Sequence, residues 1–354
     1  MIMLEKEEKG REGYRVSGSA GNKDVSSLDL HLGKDTVFEA SGEGATNTII
    51  LTYENDKLTS DGAHFIARNK GKNTIEVKGK NAEVNGLYFI AKGNTKPVAQ
   101  SVAEDAAAEA QPQPAPAVAL AQGQNIIKLA GNNAKLTNVV FLAEGGKNTV
   151  EVKGKNTILD NLHFEAVGKD SENNLTFTGM QNDRNKSTVG ELTFEAKNQG
   201  KNIVSFGSAD ANLTGKVKHL EFNAVDGGVN QLKFTTNDTE KLTFRGDGKA
   251  GSLNEISLGE SGNFNANNVT TYSGNTKIAP QNHNITFNGA VNTIGVTAVT
   301  TIDFKEGISN SNTFTAKEAI TRTNGGKTVF NIVGTAAQPP QNLPLIKALP
   351  LQVI

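Results

Sequence analysis

The amino-acid sequence predicts an all-β chain: a parallel β-solenoid, taken as a right-handed β-helix of roughly ten coils of 23–28 residues each. Three observations predict it. One stretch of 21 residues is written twice, apolar and polar residues alternate inside each copy, and looser copies recur at nearly constant spacing.

The two close copies are GKNTIEVKGKNAEVNGLYFIA at 71–91 and GKNTVEVKGKNTILDNLHFEA at 146–166, identical at 13 of 21 positions. The general unit begins with Asn, runs N-x-[IVL]-x-[VLF], turns at Gly, Asn or Lys, and closes on an L-x-F-x-A-like segment. Copies start at Asn47, Asn73, Asn125, Asn148, Asn174, Asn202 and Asn230, with gaps of 26, 52, 23, 26, 28 and 28 residues. The long gap contains residues 95–122, 28 residues rich in Ala, Gln, Pro and Val; without them it shrinks to 24. That segment has little to bury and reads as a disordered insertion at a turn.

Within a unit the period is two, as in a strand with one buried face. Ile75 and Val77 share one face, as do Leu87, Phe89 and Ala91; Val150 and Val152 match the first pair, and Leu162, Phe164 and Ala166 the second. Two or three strands of three to five residues cannot form a stable sheet alone, so each unit must bury its apolar wall against the next. The recurring Asn residues are expected at corners, where left-handed dihedrals are tolerated and stacked amides can form a ladder: Asn73, Asn125, Asn148, Asn174, Asn202 and Asn230. The organisation expected is an N-terminal segment or cap (1–40), solenoid (41–94), insertion (95–123), continued solenoid (124–335) and a Pro-rich tail (336–354), with the coil register loosening after about 250.

Composition narrows the function. Lys and Arg number 36 against 37 Asp and Glu, a net charge of −1, which speaks against a nucleic-acid partner. No cysteine is present, so disulfides, thiolate metal sites and thiol catalysis are excluded. No apolar run reaches the length of a membrane-spanning helix. The first residues, MIMLEKEEKGREGYRV, carry no signal-peptide pattern, so export would require a longer precursor.

Candidate chemistry is sparse. Glu76 and Glu151 fall in one outward column, but Ile50, Lys128 and Thr176 or Ser205 replace them in other units. The histidines (His31, His64, His163, His219, His283) lack metal-ligand spacing, with His64 and His163 in one column but not in adjacent coils. No catalytic residue, metal site or cofactor is predicted. Arg245-Gly246-Asp247 follows a strand and reads as an exposed turn, the tripeptide by which adhesive ligands engage integrins.

Coils of the form N-T-[IV]-x-[VF]-x-G, rich in Asn, Gly and Thr and free of cysteine, resemble the passenger regions of bacterial autotransporters, in the style of vacuolating cytotoxins and adhesins, over about 40–335. The resemblance implies a cell-surface or secreted virulence factor of the outer membrane. It also implies a signal peptide and a membrane barrel, neither of which this chain contains. The leading expectation is a non-enzymatic adhesin or stalk that meets a host or matrix protein or glycan through its outward faces. A glycan-active β-helix enzyme is the first alternative, favoured by three or more carboxylates from adjacent coils lining one groove. A purely structural, self-associating rod is the second.

Overall fold

A computed structural model describes residues 3–6, 14–17, 28–93, 122–178, 187–206, 217–234 and 237–258. Beyond these it describes the separate pieces 264–266, 270–272, 274–279, 285–287, 291–294, 299–303, 314–316, 320–323, 327–331 and 346–348. The described residues form a parallel β-solenoid with two walls, a 13-stranded sheet A and an 18-stranded sheet B. Strands pair in parallel from coil to coil, apart from an antiparallel hairpin of Met3–Lys6 with Tyr14–Ser17 at the N-terminal end of sheet A.

Along sheet A, Thr46–Leu51, Lys72–Val77, Gln124–Leu129, Lys147–Val152, Glu172–Phe177, Lys201–Phe206, Val229–Phe234 and Leu253–Leu258 stack in register. Sheet B is built from the second half of each unit. In one coil it has two strands, Glu83–Asn85 and Tyr88–Lys92; in the next they fuse into the ten-residue Lys135–Glu144. Strands therefore run longer than the sequence expectation. A left-handed Asn lets the fused strand bend and continue, at Asn138 (φ 54°) and Asn161 (φ 51°).

The alternation holds throughout these coils. Ile75, Val77, Leu87, Phe89, Ala91, Val150, Val152, Phe164 and Ala166 are all fully buried. Down the interior of sheet B runs a stack of Phe rings: Phe38, Phe65, Phe89, Phe141, Phe164, Phe194, Phe222 and Phe244, with successive centroids 4.6–5.3 Å apart and planes nearly parallel. The spacing is that of neighbouring strands, so the ladder hydrogen bonds set it and ring contact adds to it.

Sheet A carries a second interior ladder, of amides. Asn47 donates to Asn73, Asn73 to Asn125, Asn125 to Asn148, Asn148 to Asn173, Asn173 to Asn202, Asn202 to Asn230 and Asn230 to Asn254, each through Nδ2 to Oδ1 at 2.8–2.9 Å. These residues are buried inside strands, not at corners. The corner asparagines with left-handed dihedrals are another set, among them Asn55, Asn81, Asn133 and Asn156, which form an outer amide row. Asn174 corrects the expected ladder by one residue: the member is Asn173, and Asn174 faces outward to bond Glu172 Oε1 at 2.6 Å.

Glycine is required where coils approach closely. A Cβ on Gly131 would lie 2.0 Å from Gly79 O, and one on Gly154 would lie 2.0 Å from Gly131 O. The expected insertion lies outside the described residues apart from Gln122 and Gly123, and its flanks meet, Gly123 N donating to Lys92 O at 2.8 Å. Of the expected tail, Ile346–Ala348 pairs in parallel with Phe314–Ala316.

Phe164→Asp would set an unpaired carboxylate inside the ring stack, and should cost several kcal/mol and abolish cooperative melting above room temperature; a melt matching the parent would refute the inward assignment. At the C-terminal end of the amide ladder Thr276 takes the next slot, with its Oγ1 buried and without a partner. Thr276→Asn should extend the ladder and raise stability by about 1 kcal/mol, read as a higher denaturation midpoint.

Candidate functional site

With both interiors filled by ladders, chemistry is left to the outward columns. In sheet A, Glu76 stacks on Ile50 and Lys128, and Lys128 on Glu151. Glu76 is held below the ordinary carboxylate value by its hydrogen bond from Lys78, with Lys128 contributing less. This is a paired, solvated face.

Sheet B differs along its length. Over its first coils one outward column carries Val37, His64, Tyr88 and Val140 and the next carries Glu39, Ile66, Ile90 and Leu142. From the strand Ile158–Val167 onward they become charged. Register places His163, Thr193, Glu221 and Thr243 in one column and Glu165, Glu195, Asn223 and Arg245 in the next. Glu191 and His219 lie beside them at the strand bend, with Lys241 following His219.

These side chains form three groups. Lys197 Nζ sits 2.9 Å from Glu165 Oε1 and 2.5 Å from Glu195 Oε2, bridging two carboxylates of adjacent coils. The hydrogen bond to Glu195, then that to Glu165, holds the ammonium above the usual lysine value, so it stays protonated. Arg245 Nε donates to Glu221 Oε1 at 2.6 Å. His219 links three coils: Nδ1 lies 2.7 Å from Glu191 Oε2 and Nε2 lies 3.1 Å from Thr243 Oγ1. A carboxylate on Nδ1 favours the tautomer with its proton there and leaves Nε2 as acceptor. The imidazole is mostly buried, its side chain 18% exposed. Carboxylates from three successive coils (Glu165, then Glu191 and Glu195, then Glu221) thus share one face with a histidine oriented for proton transfer.

The repeated F-E-A of LHFEA and LTFEA, at 164–166 and 194–196, is the signal in the sequence that marks the Glu165–Glu195 pair. Of the other histidines, His31 bonds Thr59 and Asp61 at the solvent edge, His64 stacks on Tyr88 with centroids 5.2 Å apart, and His163 Nε2 lies 4.0 Å from Glu165. His283 falls outside the described residues. Among the described residues no group of His, Asp and Glu is arranged to hold a metal ion. Arg245-Gly246-Asp247 ends a strand. Asp247 accepts backbone N–H bonds from Asp226 of the neighbouring coil at 2.8 Å and from Lys249 of its own turn at 3.0 Å, so both of its carboxylate oxygens are engaged.

No family model matches the chain, and no curated protein matches it. A search of solved structures finds a chain described as "a new PL6 alginate lyase complex with trisaccharide", 9% identical, with a TM-score of 0.39, over 88% of this chain and 89% of that one. At that likeness no residue role passes between the two proteins. The leading expectation from the sequence, a non-enzymatic adhesin or stalk, is corrected on the register: carboxylates of three successive coils share one face, the feature set above for the glycan-active alternative.

Because the folded-state value of Lys197 is raised, its contribution to stability is fully present below the ordinary lysine value and is lost as pH rises through the raised one. Lys197→Met should therefore melt lower than the parent at neutral pH, and the difference should shrink in strongly alkaline buffer; a pH-independent difference would indicate lost packing alone.

Proposed function

We propose that the chain is a glycan-active β-helix enzyme whose working surface is the charged outer face of sheet B. The observation that supports it most is the convergence of carboxylates from three successive coils beside the Glu191–His219 pair. A flat wall with repeating polar side chains suits an extended polymer, which can lie across several coils. His219 is the proton-transfer residue, held by Glu191 at Nδ1 and by Thr243 Oγ1 at Nε2. Glu191 and Thr243 are positioning residues. The ion pairs Lys197–Glu165 and Lys197–Glu195 keep the neighbouring wall ordered without drawing on His219. Export within a longer precursor is the placement that the passenger-like repeat implies, and fractionation of the producing cells checks it.

Incubation with a panel of neutral and acidic polysaccharides, followed for new reducing ends and for the ultraviolet absorbance of unsaturated ends, should reveal turnover. His219→Gln should lower it by about a hundredfold or more at unchanged circular dichroism. Absence of turnover across the panel, or full activity in His219→Gln, would overturn the reading.

A further inference from the structure

Of the three large apolar side chains that stand most exposed among the described residues, two, Val37 at 54% and Tyr88 at 41%, share one outward column of sheet B. The column runs Val37, His64, Tyr88 and Val140, and beside it Ile66, Ile90 and Leu142 stand half-buried on the same face. Ion pairs mark the margin, Arg68 with Glu39 at 2.9 Å and Lys92 with Glu144 at 3.2 Å. An apolar centre with a charged margin is the anatomy of a protein–protein contact, and proteins rarely leave such a patch bare. The patch gives way to charge at the strand Ile158–Val167, so Glu191, His219 and Thr243 lie outside it.

We infer that this face binds a second copy of the chain, wall against wall, about a two-fold axis that runs along the strand Tyr88–Lys92. Register on the wall fixes where the axis lies. Such an axis keeps each column in place and reverses the order of the coils, giving aligned sheet packing. Tyr88 then meets Tyr88 of the second copy, Ile90 meets Ile90, His64 meets Val140, and Ile66 meets Leu142. At the margin Arg68 meets Glu144, twice by symmetry, which sets opposite charges across the contact. Lys92 faces Lys92 and Glu39 faces Glu165, but each is already paired within its own copy, Lys92 with Glu144, Glu39 with Arg68 and Glu165 with Lys197. An axis one coil earlier would set Glu39 against Ile90, one coil later would set Glu165 against Ile90, and either loses both Arg68–Glu144 pairs. Five strands about 4.8 Å apart, each with five residues of about 3.3 Å, cover roughly 400 Å² on each copy, small for a specific interface, so the dimer is weak and forms with rising concentration. Because the coil order is reversed, the charged stretch of each wall projects past the first coil of the other copy, and both stretches stay open.

Sedimentation of the full chain across the micromolar range tests this. The average mass should rise from that of one chain toward that of two. Ile90→Lys sets two ammonium groups face to face on the axis and should weaken association about tenfold or more at unchanged circular dichroism. Arg68→Glu alone and Glu144→Arg alone should each associate more weakly than the parent, since each sets like charges across the contact. An equal mixture of these two variants should recover association, because the mixed pair has opposite charges at both positions. A single-chain mass at every concentration, undiminished association in Ile90→Lys, or a mixture no better than its two components overturns the inference. A chain that associates only after residues 95–121 are deleted also overturns it, since the face is then covered by the insertion and not by a second copy.

Discussion

The structure depends on one constraint: a single coil has an apolar wall that it cannot cover by itself. The wall is sealed only when the next coil lays the same residue type at the same height, because parallel strands in register bring like side chains into contact. Phe164 lies between Phe141 and Phe194, and Asn148 between Asn125 and Asn173. Burying a ring contributes about 1.5–3 kcal/mol, so the seven fully buried rings of the stack make a large share of the driving force. The amide ladder acts differently. A buried Asn is unfavourable unless its polar atoms are bonded, and each bonds the equivalent atoms above and below, which penalises any slip of one coil against its neighbour.

That division frees the outer face. Interior columns tolerate little change, whereas outward side chains meet water and one another, where exposed ion pairs contribute roughly 0–1 kcal/mol. Charge can therefore accumulate on one stretch of sheet B without threatening the fold. Its first coils turn mostly aliphatic and aromatic side chains outward, beside the ion pairs Arg68–Glu39 and Lys92–Glu144; the following ones carry Glu165, Glu195, Lys197, His219, Glu221 and Arg245. The change in chemistry along a uniform scaffold marks the site, since the interior packing gives no reason for it.

Much of the architecture was legible because period two and the repeat of about two dozen residues both come from the interior. The shared outward column of His64 and His163 could be read directly from aligned copies. The asparagines were harder, since one residue type does two jobs: a buried amide rung in the strand and a left-handed corner in the turn. In ENNLTF two asparagines stand together, and counting from the second shifts the unit by one, which exchanges inside for outside at Asn173 and Asn174. The site was harder still. Glu191, His219 and Thr243 are separated by 28 and 24 residues and meet only through the register of three coils whose connecting turns differ in length. In the sequence Arg245 stands out only for the tripeptide it opens, while its position on the wall beside Thr243 comes from the strand pairing.

Neighbouring coils stabilise each other rung by rung. A double-mutant cycle on the ring stack measures this directly, with Phe164→Leu and Phe194→Leu as the adjacent pair and Phe89→Leu with Phe222→Leu as a pair separated by intervening rings. The adjacent pair should show a coupling of about 0.5–1.5 kcal/mol and the distant one none. Equal coupling in both pairs, or none in either, would contradict it.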